Sequence, residues 1–374
     1  LRSPFCYRNL AALTLALLAL GPRVACAADA PPAFARMIVA GETASRGDAS
    51  NRLNVVVWYP AATGTAIQPL EIGPPGTPFF SEGAAAENAP LAESTARFPF
   101  VVVSHGTGGT AMDLSWLCIG LAAHGYIVAS VDHPGNDALA PQTVAGNTLW
   151  GLRAGDLSRT IDGVLASPRF GPRIDPGRIG AAGFSLGGYT VLELAGARAD
   201  ARRLDGYCRR KPATALCSGE ATPAIPDLIA ESNALAASDP GYRAALAANA
   251  ASHRDPRVKA VFSIAPALGP AILPESLAAI GIPVEIVAGF GDPVLPVDDN
   301  AIADAAAIPN ARLSLLPRSV AHYTFLTDCA PAARERFAPI CADAGASRIA
   351  AHRETLDLAR SFFDRTLVDV AASH

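Results

Sequence analysis

The 374-residue chain reads as an α/β protein with a mostly parallel central sheet and helices on both faces. Three observations carry that reading. From residue 100 onward, short apolar runs alternate with longer helical patterns, as strands buried on both faces and joined by helical crossovers do. Half of the residues (50%) are hydrophobic, which is enough to fill one large core rather than several small ones. One apolar run ends in Gly183-Phe184-Ser185-Leu186-Gly187-Gly188 and passes straight into a helical pattern, so a serine stands at the apex of a sharp strand-to-helix turn.

The elements follow in order. Arg2 and Arg8 precede an apolar stretch at residues 10–20, followed by Gly21-Pro22 and Ala25-Cys26-Ala27-Ala28. This basic, apolar, small-residue layout is that of a secretory signal with cleavage expected after Ala27, and its apolar part is too short to span a bilayer. Residues 28–374 are then one domain, secreted or periplasmic. Arg23 stands where lipid-attachment signals want a Leu-like residue, which argues against Cys26 as a lipid anchor. Two strands are expected at residues 36–40 and 53–59, around a polar turn at Gly47-Asp48. Residues 60–97 are loaded with Pro, Gly and Ala, and read as an excursion with little regular structure.

The core alternation runs through strands at 100–104, 126–131 and 178–183, with helices at 112–124, 153–166 and 189–199. Residues 200–255 interrupt it, with basic residues and Ala-rich helical stretches. This insertion begins just past the helix that leaves the serine turn, where a segment can fold over the carboxyl edge of the sheet like a lid or pocket wall. Strands at 258–265, 283–288 and 312–316 then alternate with helices at 275–280 and 298–307, before a final helix over 347–370. There is no internal repeat.

Composition excludes several classes. The formal charge of -4 is spread without long runs of either sign, which excludes a dedicated nucleic-acid surface. His105, His124 and His133 share no helix face at ligand spacing, so no metal is expected. The turn His105-Gly106-Thr107-Gly108-Gly109 lacks the Lys of a phosphate-binding loop, and no cofactor is expected. Export makes disulfides available, and Cys208 with Cys217 and Cys329 with Cys341 are close enough to close short loops worth about 2 to 3 kcal/mol each. Cys118 lies in an apolar pattern and reads as an inert core thiol.

A serine hydroxyl needs a base to take its proton, an acid to orient the base, and donors for the oxyanion that forms. Each belongs on a loop at the carboxyl end of a strand. Asp292 follows strand 283–288 in a tight turn, Gly289-Phe290-Gly291-Asp292-Pro293, and is the candidate acid; Asp298 and Asp299 are the fallbacks. His322 follows strand 312–316 and is the candidate base. The order Ser185, Asp292, His322 is the one expected for such a sheet. Donors are expected from the backbone N–H groups of Thr107, in the glycine-rich turn after strand 100–104, and of Leu186. Asp132-His133-Pro134-Gly135, after strand 126–131, is expected to line the pocket. A base of this kind must be neutral, so activity is expected to fall on the acid side.

At these residues the chain resembles the α/β-hydrolase superfamily, and more narrowly the bacterial predicted dienelactone hydrolases, which also look like platelet-activating factor acetylhydrolases. The matching segments are residues 101–109, 126–135, 175–188, 255–265 and 283–292. The resemblance implies an α/β-hydrolase fold, a triad of Ser185, Asp292 and His322, an oxyanion hole at Thr107 and Leu186, and carboxylic esters as substrates. Many relatives carry His where this chain has Phe184. True dienelactone hydrolases use Cys as nucleophile, so a lactone substrate is not implied. The partner expected is a small-molecule or lipid ester. The same triad also fits a lipase, a phospholipid acetylhydrolase or a small-peptide hydrolase, and the fold alone would fit a catalytically silent binding protein.

Overall fold

In the computed structural model, which describes residues 30–41, 51–219, 224–343 and 345–369, the apolar runs become one mixed sheet of ten strands. In chain order these are β1 (Pro32–Ala40), β2 (Arg52–Pro60), β3 (Gln68–Ile72), β4 (Phe80–Glu87), β5 (Phe98–Ser104), β6 (Ile127–Val131), β7 (Ile174–Phe184), β8 (Val258–Ile264), β9 (Val284–Gly289) and β10 (Arg312–Leu316). They lie side by side as β10-β9-β8-β7-β5-β6-β2-β1-β4-β3. From β10 to β6 every pairing is parallel, whereas β2 runs antiparallel to β6 and to β1. The expected signal segment 1–27 and the Gly47-Asp48 turn lie outside the described residues.

The helices are α1 (Ser115–Ala123), α2 (Val144–Thr148), α3 (Gly151–Ala166), α4 (Leu186–Ala195), α5 (Ala201–Arg210), α6 (Ala215–Ser218), α7 (Ile225–Ser238), α8 (Pro240–Ala248), α9 (Pro274–Ala278), α10 (Ala301–Ala307), α11 (Ala338–Cys341) and α12 (Ala346–Phe363). β5 shows why its run is apolar throughout: Phe100 and Val102 join the core under α3 and α4, while Val101 and Val103 join the core under α1 and α12. Burial on both faces removes the two-residue alternation that a half-exposed strand would show.

After β5 the chain crosses to β6 on one side, then returns past β5 to β7 on the other. The connections therefore diverge at the carboxyl ends of β5 and β7, and such a switch point leaves a crevice for ligands. The turn after β5 and the serine turn after β7 meet there.

Two regions differ from expectation. The excursion at 60–97 holds two strands: β4 pairs parallel with β1 through Ala33 and Ala86, and β3 pairs antiparallel with β4 and forms the edge of the sheet. Small residues and glycine hid these strands, and pairing with an open edge overrode weak local propensity. The helix expected at 189–199 begins at Leu186, so Gly187 and Gly188 are helical despite their low propensity. Among its described residues the insertion holds four helices, α5 to α8, with α5 and α6 joined by the Cys208–Cys217 bridge. It is anchored to α2 by Tyr242, whose hydroxyl lies 2.7 Å from Thr148 Oγ1. Among the described residues no helix is long and apolar enough to cross a membrane.

Candidate active site

Ser185 sits at the junction of β7 and α4 with φ 57° and ψ -120°, a conformation that costs a side-chain-bearing residue about 1 to 3 kcal/mol. The surroundings enforce it. Its N–H donates to the Ile264 carbonyl at 2.9 Å, and its own carbonyl accepts from Ala267 and Tyr189. The flanking glycines are required by close approach: a Cβ at Gly183 would lie 2.2 Å from the Gly187 carbonyl oxygen, and one at Gly187 would lie 2.1 Å from that of Ser104. The turn can close onto β5 only without those atoms.

The three side chains expected to work together do meet. Ser185 Oγ lies 3.0 Å from His322 Nε2, and His322 Nδ1 lies 2.7 Å from Asp292 Oδ2. The other carboxylate oxygen, Asp292 Oδ1, accepts the N–H groups of Val294 and Leu295 at 2.8 Å each. One oxygen thus braces the tight turn while the other faces the imidazole. The fallback acids lie elsewhere: Asp298 is exposed, and Asp299 accepts from Tyr207 and from Lys211 of the insertion. Phe184 packs beside these three side chains, its ring 4.8 Å from that of His322.

Thr107 and Leu186 both line the cavity above Ser185. Neither backbone N–H has an acceptor among the described residues. Beneath the Thr107 turn lies a charged network that sequence reasoning missed. The buried Arg153 guanidinium donates to Asn136 Oδ1 at 2.7 Å, to Thr190 Oγ1 at 3.2 Å, to Ser104 Oγ at 3.1 Å and to the His105 carbonyl. His133 bridges Ser104 Oγ at 2.9 Å and the Asp156 carboxylate at 2.8 Å. Arg153 and Asp156 are one helical turn apart on α3, and that spacing was the one signal available. His124 pairs instead with Asp364, beyond α12.

The His322 loop is fastened from below. Trp116 Nε1 of α1 donates to the Phe325 carbonyl at 2.9 Å, and its ring stacks on His352 of α12 at 4.2 Å. His352 Nε2 donates to the Thr324 carbonyl at 2.6 Å, while its Nδ1 lies 2.7 Å from Glu82 Oε1 of β4. The Cys329–Cys341 bridge follows directly in the chain. Glu82 also accepts the N–H of Asp328 at 2.9 Å, so β4 fastens the segment after His322 at two points.

The cavity holds about 1050 Å³. Its wall is mostly apolar and comes from both variable regions, with Ile72, Phe79 and Phe80 from the excursion and Leu216, Ile225 and Leu228 from the insertion. Asp132 and Asp113 are its acidic members, and burial pushes each up to about 6. Asp132 Oδ1 accepts the Ala111 N–H at 2.6 Å, which ties the loop after β6 to the loop after β5. Burial pushes the Cys118 thiol far up, in keeping with an inert core position. No cluster of metal-ligating side chains occurs among the described residues.

Two matches with known proteins are informative. The family model described as platelet-activating factor acetylhydrolase, isoform II, matches residues 81–148, the stretch from β4 to α2 that includes the Thr107 turn. Among solved structures, a ferulic acid esterase from Streptomyces cinnamoneus aligns with a TM-score of 0.56 and 19% identity over 92% of each chain. At that identity the likeness concerns the fold. Sheet order, serine turn and shared architecture together give this chain the α/β-hydrolase fold.

Proposed function

We propose that the chain is an exported serine hydrolase that cleaves carboxylic esters through an acyl-enzyme, without metal or cofactor. The observation that carries the proposal is the continuous relay from Ser185 Oγ through His322 to Asp292, at 3.0 and 2.7 Å. As Ser185 Oγ bonds to the ester carbon, His322 Nε2 takes its proton and the N–H groups of Thr107 and Leu186 receive the oxyanion. Collapse expels the alcohol, which leaves with the proton from His322. A water, deprotonated by the same nitrogen, then attacks the acyl group; acid departs and the serine regains its hydrogen. Asp292 holds the imidazole in orientation and stabilises its charged form.

Esters are favoured by the acetylhydrolase model matched at 81–148, and an apolar cavity of about 1050 Å³ favours apolar substituents. Export is supported by the two disulfides and by the layout of residues 1–27. Ser185→Ala should leave a folded protein whose turnover of a nitrophenyl ester falls by about 10³-fold or more, with no labelling by a fluorophosphonate. Undiminished turnover in that variant would refute the assignment. A panel of esters graded by acyl length would then separate short-chain, lipid and aromatic preferences.

A further inference from the structure

The Thr107 N–H and the Gly106 carbonyl belong to one peptide unit. In a trans peptide the two point in opposite directions, and there is no cis bond among the described residues. Whatever holds that carbonyl therefore aims that N–H. The Gly106 oxygen lies 2.6 Å from His105 Nδ1, with the Gly109 N–H a longer second donor at 3.3 Å. The other ring nitrogen identifies the tautomer. The backbone N–H of His133, which can only donate, lies 3.2 Å from His105 Nε2. Nε2 is thus the acceptor, and Nδ1 carries the hydrogen towards Gly106.

We propose that His105 is a positioning residue for the oxyanion hole: its Nδ1–H grips the Gly106 carbonyl and so aims the Thr107 N–H at the oxygen of the ester under attack. The inference rests on the acyl-enzyme reading given above. Its surroundings leave the ring little freedom. His105 is 2% exposed, its carbonyl is held by Arg153, and the His133 ring lies 4.9 Å away, backed by Asp156. A Cβ at Gly109 would approach Nδ1 to 3.0 Å, so glycine there leaves room for the ring edge. Burial, with the nearby Arg153 charge, holds the imidazole well below the ordinary histidine range, which keeps it neutral and keeps Nε2 an acceptor. A histidine that only filled space would need neither nitrogen to be spent on backbone.

The test compares two variants with the wild type on a nitrophenyl ester. Asn at this position carries its amide nitrogen where Nδ1 stood, whereas Leu carries no donor. His105→Leu should lower kcat by about 10- to 100-fold with KM within about twofold, because the donor matters most once the oxygen is charged. His105→Asn should recover most of that loss. Equal losses in the two folded variants, or an undiminished kcat in His105→Leu, would overturn the proposal. Ser185→Ala measured alongside separates the two readings: if it is inactive while His105→Leu is undiminished, only the role of His105 falls, and if it is active, both fall. A folding failure of His105→Leu does not remove the test. In ¹⁵N-labelled wild type the same claim requires His105 to show a protonated Nδ1 and a bare Nε2 from pH 5 to 8, and an Nε2–H or doubly protonated ring would overturn it.

Discussion

At the scale of single residues, Ser185 trades stability for reach. Its positive φ of 57° lifts the hydroxyl off the sheet, and glycine is the residue that tolerates such a backbone without strain. Ser185→Gly should therefore abolish turnover yet raise stability by about 1 kcal/mol, read as a higher denaturant midpoint. A midpoint at or below that of the wild type would show that the turn is unstrained. The convergence of Ser185, Asp292 and His322 was legible in the sequence because each lies in the turn or loop that follows a strand, on the carboxyl side of the sheet. Arg153 and Asp156 were not. A buried charge inside a helix breaks no pattern that a single sequence displays, and its partners Ser104, His105 and Asn136 come from other elements.

At the scale of elements, the His322 loop depends on its fastenings. It carries only a short 3₁₀ turn at His322–Phe325, so it cannot hold the imidazole by its own hydrogen bonding. The Cys329–Cys341 bridge closes a loop of 12 residues just behind it. Replacing both cysteines by serine should cost about 2 to 3 kcal/mol and lower kcat. Unchanged melting and turnover would assign the bridge no part in steadying the base. Strands buried on both faces were legible because their runs are continuously apolar. β3 and β4 were not, since their pairing is decided by the free edge of β1 rather than by their own Pro- and Gly-containing sequence.

For the whole molecule, stability should carry an unusual pH signature from acids buried without cations. Asp304 of α10 is 1% exposed, its Oδ2 lacks a hydrogen-bond partner among the described residues, and burial alone pushes it up to about 8. A carboxyl raised in the fold adds stability in full below its ordinary value of 3.8, and that contribution is lost as pH rises through about 8. Asp304→Asn should thus melt near the wild type at pH 4 and be more stable by at least about 2 kcal/mol at pH 9. A constant difference across that range would exclude a buried proton. The architecture was legible from the alternation of runs, and so was the insertion as a pocket wall, while the side chains that line the cavity were not, because they come from two segments with no motif. One of those segments carries a constraint of its own. Glu82 grips His352 beneath the imidazole loop, so any transplant of residues 60–97 from a relative, made to reshape the substrate chamber, would have to bring a carboxylate to that position or leave the proton acceptor adrift.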